Sequence, residues 1–152
     1  KDMEDAGAQM AYGLSICDIL KISDNEIQWF SRKEDYTEGI HMLQQTYQIP
    51  LILLSMGKDG SRAYYKDMLV EVPAFLQKNT IETTGAGDTF GACCLHHILK
   101  YGLDNLTERQ LKEMLRFANA AASIITTRKG ALRVMPSLEK IQNIKNYFER
   151  IS

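Results

Sequence analysis

The chain has 152 residues, 45% of them hydrophobic and 24% charged, with a formal net charge of −1. That is one ordinary globular domain's worth of sequence, long enough to bury a core. The balance of charge gives no reason to expect a nucleic acid or an anionic membrane as partner, and no run reaches the roughly 18 apolar residues that span a bilayer. The opening Lys1-Asp2-Met3-Glu4-Asp5 is charged and lacks the apolar core of a signal peptide. Three cysteines, Cys17, Cys93 and Cys94, make an odd count with two of them adjacent, so a disulfide framework is not expected and a reducing cytoplasm fits.

In chain order, Asp5 to Leu14 reads as a helix and Ile16 to Ile22 as a largely buried strand rich in isoleucine. Ser23-Asp24-Asn25-Glu26 has the spacing of a capping box opening a short helix, with Ile27, Trp29 and Phe30 as its apolar side. Asp35 caps a second helix in which Tyr36, Ile40, Leu43 and Tyr47 recur at helical spacing, and Pro50 closes the loop behind it. Leu51 to Met56 is a continuous apolar strand of the kind that is covered on both faces. Strand, helix, helix, strand is the order of a right-handed crossover between parallel strands.

Gly57-Lys58-Asp59-Gly60 then sits just past the carboxyl end of that strand, where open parallel sheets gather ligands, although the same four residues also make an ordinary tight turn. Ser61 to Tyr65 and Met68 to Val72, separated by Lys66-Asp67, read as an antiparallel hairpin ended by Pro73. Thr107 with Gln110 forms another capping box, and the helix behind it sets Leu111, Met114, Leu115, Ala118, Ala121, Ala122 and Ile125 on one face. On spacing alone Asn119 reads as a polar residue facing solvent. Pro136 and Ser137 precede a last helix whose Ile141, Ile144, Phe148 and Ile151 are expected to pack inward. Cys93 and His97 share a helical face and could hold a metal, but they form a single pair with no second ligand cluster in view, so packing is the preferred reading.

The centre of the chain is Ile81-Glu82-Thr83-Thr84-Gly85-Ala86-Gly87-Asp88-Thr89-Phe90. Small residues let a backbone approach a ligand closely, and the unpaired N–H groups of a helix start favour an anion such as phosphate. A carboxylate beside such a site repels phosphate, so Asp88 is better suited to take a proton from an attacking hydroxyl. Phosphoryl transfer from a nucleotide to an alcohol is the chemistry that uses both features. A glycine-rich turn into a plain helix with a first-turn aspartate is the alternative. The spacing fits neither a P-loop nor a dinucleotide fingerprint.

Thr83 to Phe90 resembles the C-terminal signature of the ribokinase-like, phosphofructokinase-B type sugar kinases, and the likeness runs in order over nearly the whole chain. It implies an α/β three-layer fold with a mostly parallel sheet flanked by helices plus an antiparallel hairpin. In that family the residue at Asp88 is the catalytic base, and the Gly85, Ala86 and Gly87 amides hold the phosphates. Ser55, Gly57, Lys58 and Gly60 match the nucleotide loop, with Ser55 in place of threonine, and Asn119 falls where an adenine contact is expected. Glu26 matches a glutamate that organises water around magnesium, with Ser23 in place of asparagine. Glu82 and Thr84 match ligands of a monovalent cation, K+, together with the stretch from Ile125 to Ala131. Glu82 stands for the usual aspartate and Val134 for a serine, which weakens that site.

The resemblance therefore implies ATP-dependent phosphorylation of a sugar hydroxyl in the cytoplasm with Mg2+, on fructose before ribose or 2-keto-3-deoxygluconate, by a protein that dimerises in its full-length form. A noncatalytic nucleotide-binding module is the alternative of a different class, and a flavodoxin-like redox protein fares worse because no flavin-type loop is apparent. Residues 1–152 correspond to the family's C-terminal nucleotide-binding portion. The lid and most sugar contacts belong to an N-terminal half with no counterpart here, so the chain alone is expected to turn over little sugar.

Overall fold

In the computed structural model, which describes residues 2–130 and 135–151, the elements run α1 (Asp2–Ile16), β1 (Ile19–Ser23), α2 (Asp24–Ser31), α3 (Tyr36–Tyr47), β2 (Leu51–Ser55), β3 (Ser61–Tyr65), β4 (Met68–Val72), α4 (Ala86–Tyr101), α5 (Glu108–Ile125) and α6 (Leu138–Ile151). A four-stranded sheet has the order β1-β2-β3-β4. The chain divides into two compact units, one of Lys1–Met56 with Ala63–Leu69, the other of Gly57–Arg62 with Val70–Ser152.

In the first unit β1 and β2 are parallel, in register from Ile19 opposite Leu51 to Ser23 opposite Ser55. Leu51, Ile52, Leu53 and Leu54 are all buried, which is why this strand carries no polar alternation. Around it pack Leu14 of α1, Ile27 of α2, and Ile40 and Leu43 of α3. Ile27, Ile40 and Leu43 are fully buried, and each such side chain is worth about 1.5–3 kcal/mol of transfer free energy. The strand expected from Ile16 begins later. Ile16 is the last residue of α1 and is 66% exposed, so the apolar run was shared between two elements.

Both short helices start as their caps dictate. Glu26 N–H donates to Ser23 Oγ at 3.3 Å and Ser23 N–H to Glu26 Oε2 at 2.7 Å, while Thr37 N–H donates to Asp35 Oδ1 at 2.7 Å. They stop at Arg32 and Gln48, whose φ of 59° and 54° carry the chain out of the helix while their N–H groups bond back to Gln28 and Gln44.

The hairpin strands occupy the expected residues, and a two-residue connection at Lys66-Asp67 requires them to run antiparallel. In the second unit α4 packs on α5 and α5 on α6, where Ala120, Ala121, Ile124 and Ile141 form a core with Phe75, Cys93, Phe117 and Ile144 against it. The alanines let the helices come close, as their spacing predicts. Thr107 and Gln110 make the expected reciprocal cap, Gln110 N–H to Thr107 Oγ1 at 3.3 Å and Thr107 N–H to Gln110 Oε1 at 2.9 Å. The side chains of Phe148 and Ile151, and residues 131–134 with Val134, lie outside the described residues.

Candidate active site

The glycine-rich turn enters α4 without a capping side chain. Gly85 is the N-cap residue, with φ of 80°, and among the described residues no side chain caps the first amides of the helix. Ala86 N–H closes the turn on Thr83 O at 3.1 Å, and Thr89 N–H makes the first helical bond to Gly85 O at 2.9 Å. Ala86, Gly87 and Asp88 are thus the first three helical residues, with Asp88 in the first turn. Asp88 is exposed, whereas Thr89 and Phe90, next in the chain, are buried. The helix is anchored by Phe90, Cys94 and Ile98 and presents its polar start outward.

The segment leading into the turn is tied to the end of α5. Ile81 N–H and Glu82 N–H both donate to Thr126 O, at 2.7 and 3.2 Å, and Gly130 N–H donates to Glu82 Oε2 at 3.3 Å. The Thr84 hydroxyl, the Gly130 amide and Lys129 hold the Glu82 carboxyl below its ordinary range, against a small opposing effect of burial. The Glu82 carboxylate, which the family resemblance marks for a cation together with Thr84, thus accepts a hydrogen bond from the Gly130 amide.

In the same unit Gly57–Asp59 forms a single 3₁₀ turn with Lys58 exposed, closed by Gly60 N–H on Gly57 O at 3.4 Å. Gly60 is buried at φ of 104°, and a Cβ there would come within 2.8 Å of Ala74 N and of Pro73 C, and closer still to Val72 O. Only glycine fits that path. Asn119 is not the solvent-facing residue that helical spacing suggests. It is 7% exposed and bonds inward, because α5 is buried over most of its circumference near its C-terminal half.

Glu26 and Ser55 belong to the first unit. Ser55 ends β2 and pairs in register with Ser23 at the end of β1, three residues before Glu26. The two positions therefore lie at the carboxyl ends of adjacent parallel strands, where ligands of such sheets collect. Burial pushes the Glu26 carboxyl upward, but the Ser23 N–H and hydroxyl and Lys21 outweigh it and hold it low. Glu26 also borders an open groove of about 430 Å³ lined by Met10, Leu20, Lys21, Asn25 and Trp29. Glu26 itself lies in the first turn of α2, where its carboxylate closes the cap on Ser23 N–H.

Among the described residues no group of three or more His, Cys, Asp and Glu side chains is placed to hold a metal ion. Cys93 and His97 pack, as preferred from sequence. His97 Nδ1 faces Cys93 O at 3.1 Å and its ring lies 4.9 Å from that of Phe117, while burial pushes the Cys93 thiol up to about 11. No described helix is long and apolar enough to cross a membrane.

The fold recurs among solved sugar and nucleoside kinases. A fructokinase from Vibrio cholerae O395, solved with fructose, ADP and calcium, superposes with a TM-score of 0.83 at 24% identity over 93% of this chain and 45% of its own. An aminoimidazole riboside kinase from Salmonella enterica, with its riboside and an ATP analogue, gives 0.81 at 22% over 95% and 47%. These likenesses establish a ribokinase-like α/β fold.

Residues 3–138 match the model of the pfkB family carbohydrate kinases. The chain belongs to that family. An Arabidopsis thaliana sequence provisionally named fructokinase-8 is 32% identical over 148 residues, 97% of this chain and 70% of that one. Fructokinase-2 of Oryza sativa subsp. japonica is 34% identical over 128 residues, and fructokinase-1 of Zea mays 31% over 134. The chain spans 38% and 41% of the length of the rice and maize relatives.

Proposed function

We propose that the chain is the nucleotide-binding and catalytic portion of an ATP-dependent sugar kinase, with fructose as the favoured acceptor. The observation that carries this is the exposed Asp88 on the first turn of a helix whose glycine N-cap supplies no side-chain cap to its opening amides. Fructokinase names among the relatives favour fructose, and ribose and 2-keto-3-deoxygluconate are the competing acceptors. Localisation in the cytoplasm follows from the same reading.

Asp88 accepts the proton of the sugar hydroxyl as its oxygen attacks the γ-phosphorus of ATP. The bond from that phosphorus to the β–γ bridging oxygen breaks, ADP leaves, and the proton remains on Asp88 until product release. The Gly85, Ala86 and Gly87 backbone meets the charge growing on the transferred group. The family resemblance assigns Ser55, Gly57, Lys58 and Gly60 to the nucleotide. Glu26 would orient water on the nucleotide's magnesium, which when bound neutralises charge on the phosphates.

A positioned base is worth roughly 10²–10⁴ in rate. Asp88→Asn and Asp88→Ala are therefore expected to lower turnover by about that factor with nucleotide affinity nearly unchanged, read as ADP release over a panel of fructose, ribose and 2-keto-3-deoxygluconate. Wild-type-like turnover in Asp88→Asn would remove Asp88 from the base role. Saturable nucleotide binding without turnover in the wild-type chain would support the reading of a nucleotide-binding portion that by itself turns over little sugar.

A further inference from the structure

Asn119 projects from α5 into a buried polar knot. Its Nδ2 donates to Val72 O at 3.2 Å and to Pro73 O at 3.1 Å, and its Oδ1 accepts from Ser61 Oγ at 2.9 Å. Partner chemistry fixes the orientation, since backbone carbonyls only accept and must face the NH₂, whereas the serine hydroxyl can donate to the oxygen. Both amide hydrogens are thereby committed. Ser61 is fully buried and Asn119 and Val72 nearly so, so these three groups have little access to water for a replacement partner.

The knot stands directly behind the glycine loop. Ser61 follows Gly60 in the chain, and Gly60 is pressed against the backbone of Val72, Pro73 and Ala74. Asn119 binds the carbonyls of the first two of these and the side chain next to the glycine. We infer that Asn119 is a positioning residue that fixes the path of the Gly57–Gly60 loop through Ser61, Val72 and Pro73, in place of a contact to the nucleotide base. The inference rests on the reading of that loop as part of the nucleotide site. A base contact would have to break one of the two bonds to carbonyls, and freeing Val72 O would strip the carbonyl of a buried residue of a hydrogen bond.

Two measurements separate the roles. The first compares affinities for MgATP and MgGTP in wild type, Asn119→Ala and Ser61→Ala. A positioning residue weakens both nucleotides by the same factor, about tenfold in Asn119→Ala from the loss of buried hydrogen bonds, with the ATP-to-GTP preference unchanged. A preference that shifts severalfold in Asn119→Ala overturns the inference, because only a contact to the base edge distinguishes adenine from guanine. The second is backbone hydrogen exchange over residues 57–62 and 71–75, expected to accelerate in both variants. Exchange unchanged in these segments also overturns it. Should the wild-type chain bind neither nucleotide, the nucleotide-site reading fails and the exchange result still decides whether Asn119 holds the loop. Ser61→Ala removes one bond and leaves both carbonyls paired, so it serves if Asn119→Ala does not fold.

Discussion

Replacing Gly60 by alanine tests whether the path of the glycine loop is dictated by its backbone neighbours. Two costs add at this residue. The φ of 104° lies well outside the conformations open to an L side chain, a strain of about 1–3 kcal/mol. The new methyl group would lie 2.8 Å from Ala74 N and from Pro73 C. These are main-chain atoms held by the Asn119 knot, so no side chain can rotate away and the backbone must shift, at a cost of roughly 1–3 kcal/mol.

Together the loss is about 2–6 kcal/mol, several tenfold steps in the folding equilibrium. Gly57→Ala is the control. Its φ is 53° and nothing lies within 4 Å of an added Cβ, so only the left-handed backbone is penalised, by about 1–2 kcal/mol. Urea denaturation of the three proteins, with the denaturant slopes compared so that only midpoint changes are read as stability, gives the difference. Gly60→Ala should lose at least about 1 kcal/mol more than Gly57→Ala. Equal losses would refute the claim that contact with residues 72–74, beyond backbone conformation, sets the loop.

Thr107→Ala removes the reciprocal cap of α5 and should cost about 1 kcal/mol by the same denaturation assay, with Thr107→Ser restoring most of it. No loss in the alanine variant would mean that the cap is replaced by water. For His97, burial lowers the ring's pKa, with His96 and Lys100 acting in the same direction and the Cys93 carbonyl and Glu113 opposing. A folded-state value below the unfolded one means that His97 favours the folded chain fully above the unfolded pKa of about 6.5, and that this contribution is lost as pH falls below that value. Stability should therefore drop between pH 7.5 and 5.5 more steeply in wild type than in His97→Phe. An equal drop in both would assign the pH response to other groups.

Local signals decided much of this protein before any packing was considered. The capping spacings at Ser23, Asp35 and Thr107, the hairpin about Lys66-Asp67 and the unbroken apolar run of β2 each depend on residues within a few positions of one another, and each formed where its pattern placed it. The turn from Thr83 to Asp88 was legible for the same reason, and it carried the family with it.

Boundaries and burial were less legible. Ile16 and the residues of β1 form one apolar stretch, and only the pairing of Ile19 with Leu51 shows where helix gives way to strand. Asn119 gives the clearest case. Helical periodicity assigns a polar residue to the wet side, and nothing near it in sequence predicts Ser61, Val72 and Pro73 as partners, because those lie 46 to 58 residues away. The sequence by itself determined most of the elements and the glycine-rich turn that opens α4, since both are written in short-range spacing. Only the tertiary structure decided which amide, carbonyl and hydroxyl meet behind the glycine loop, since hydrogen-bond partners in a buried interior are set by how distant segments pack.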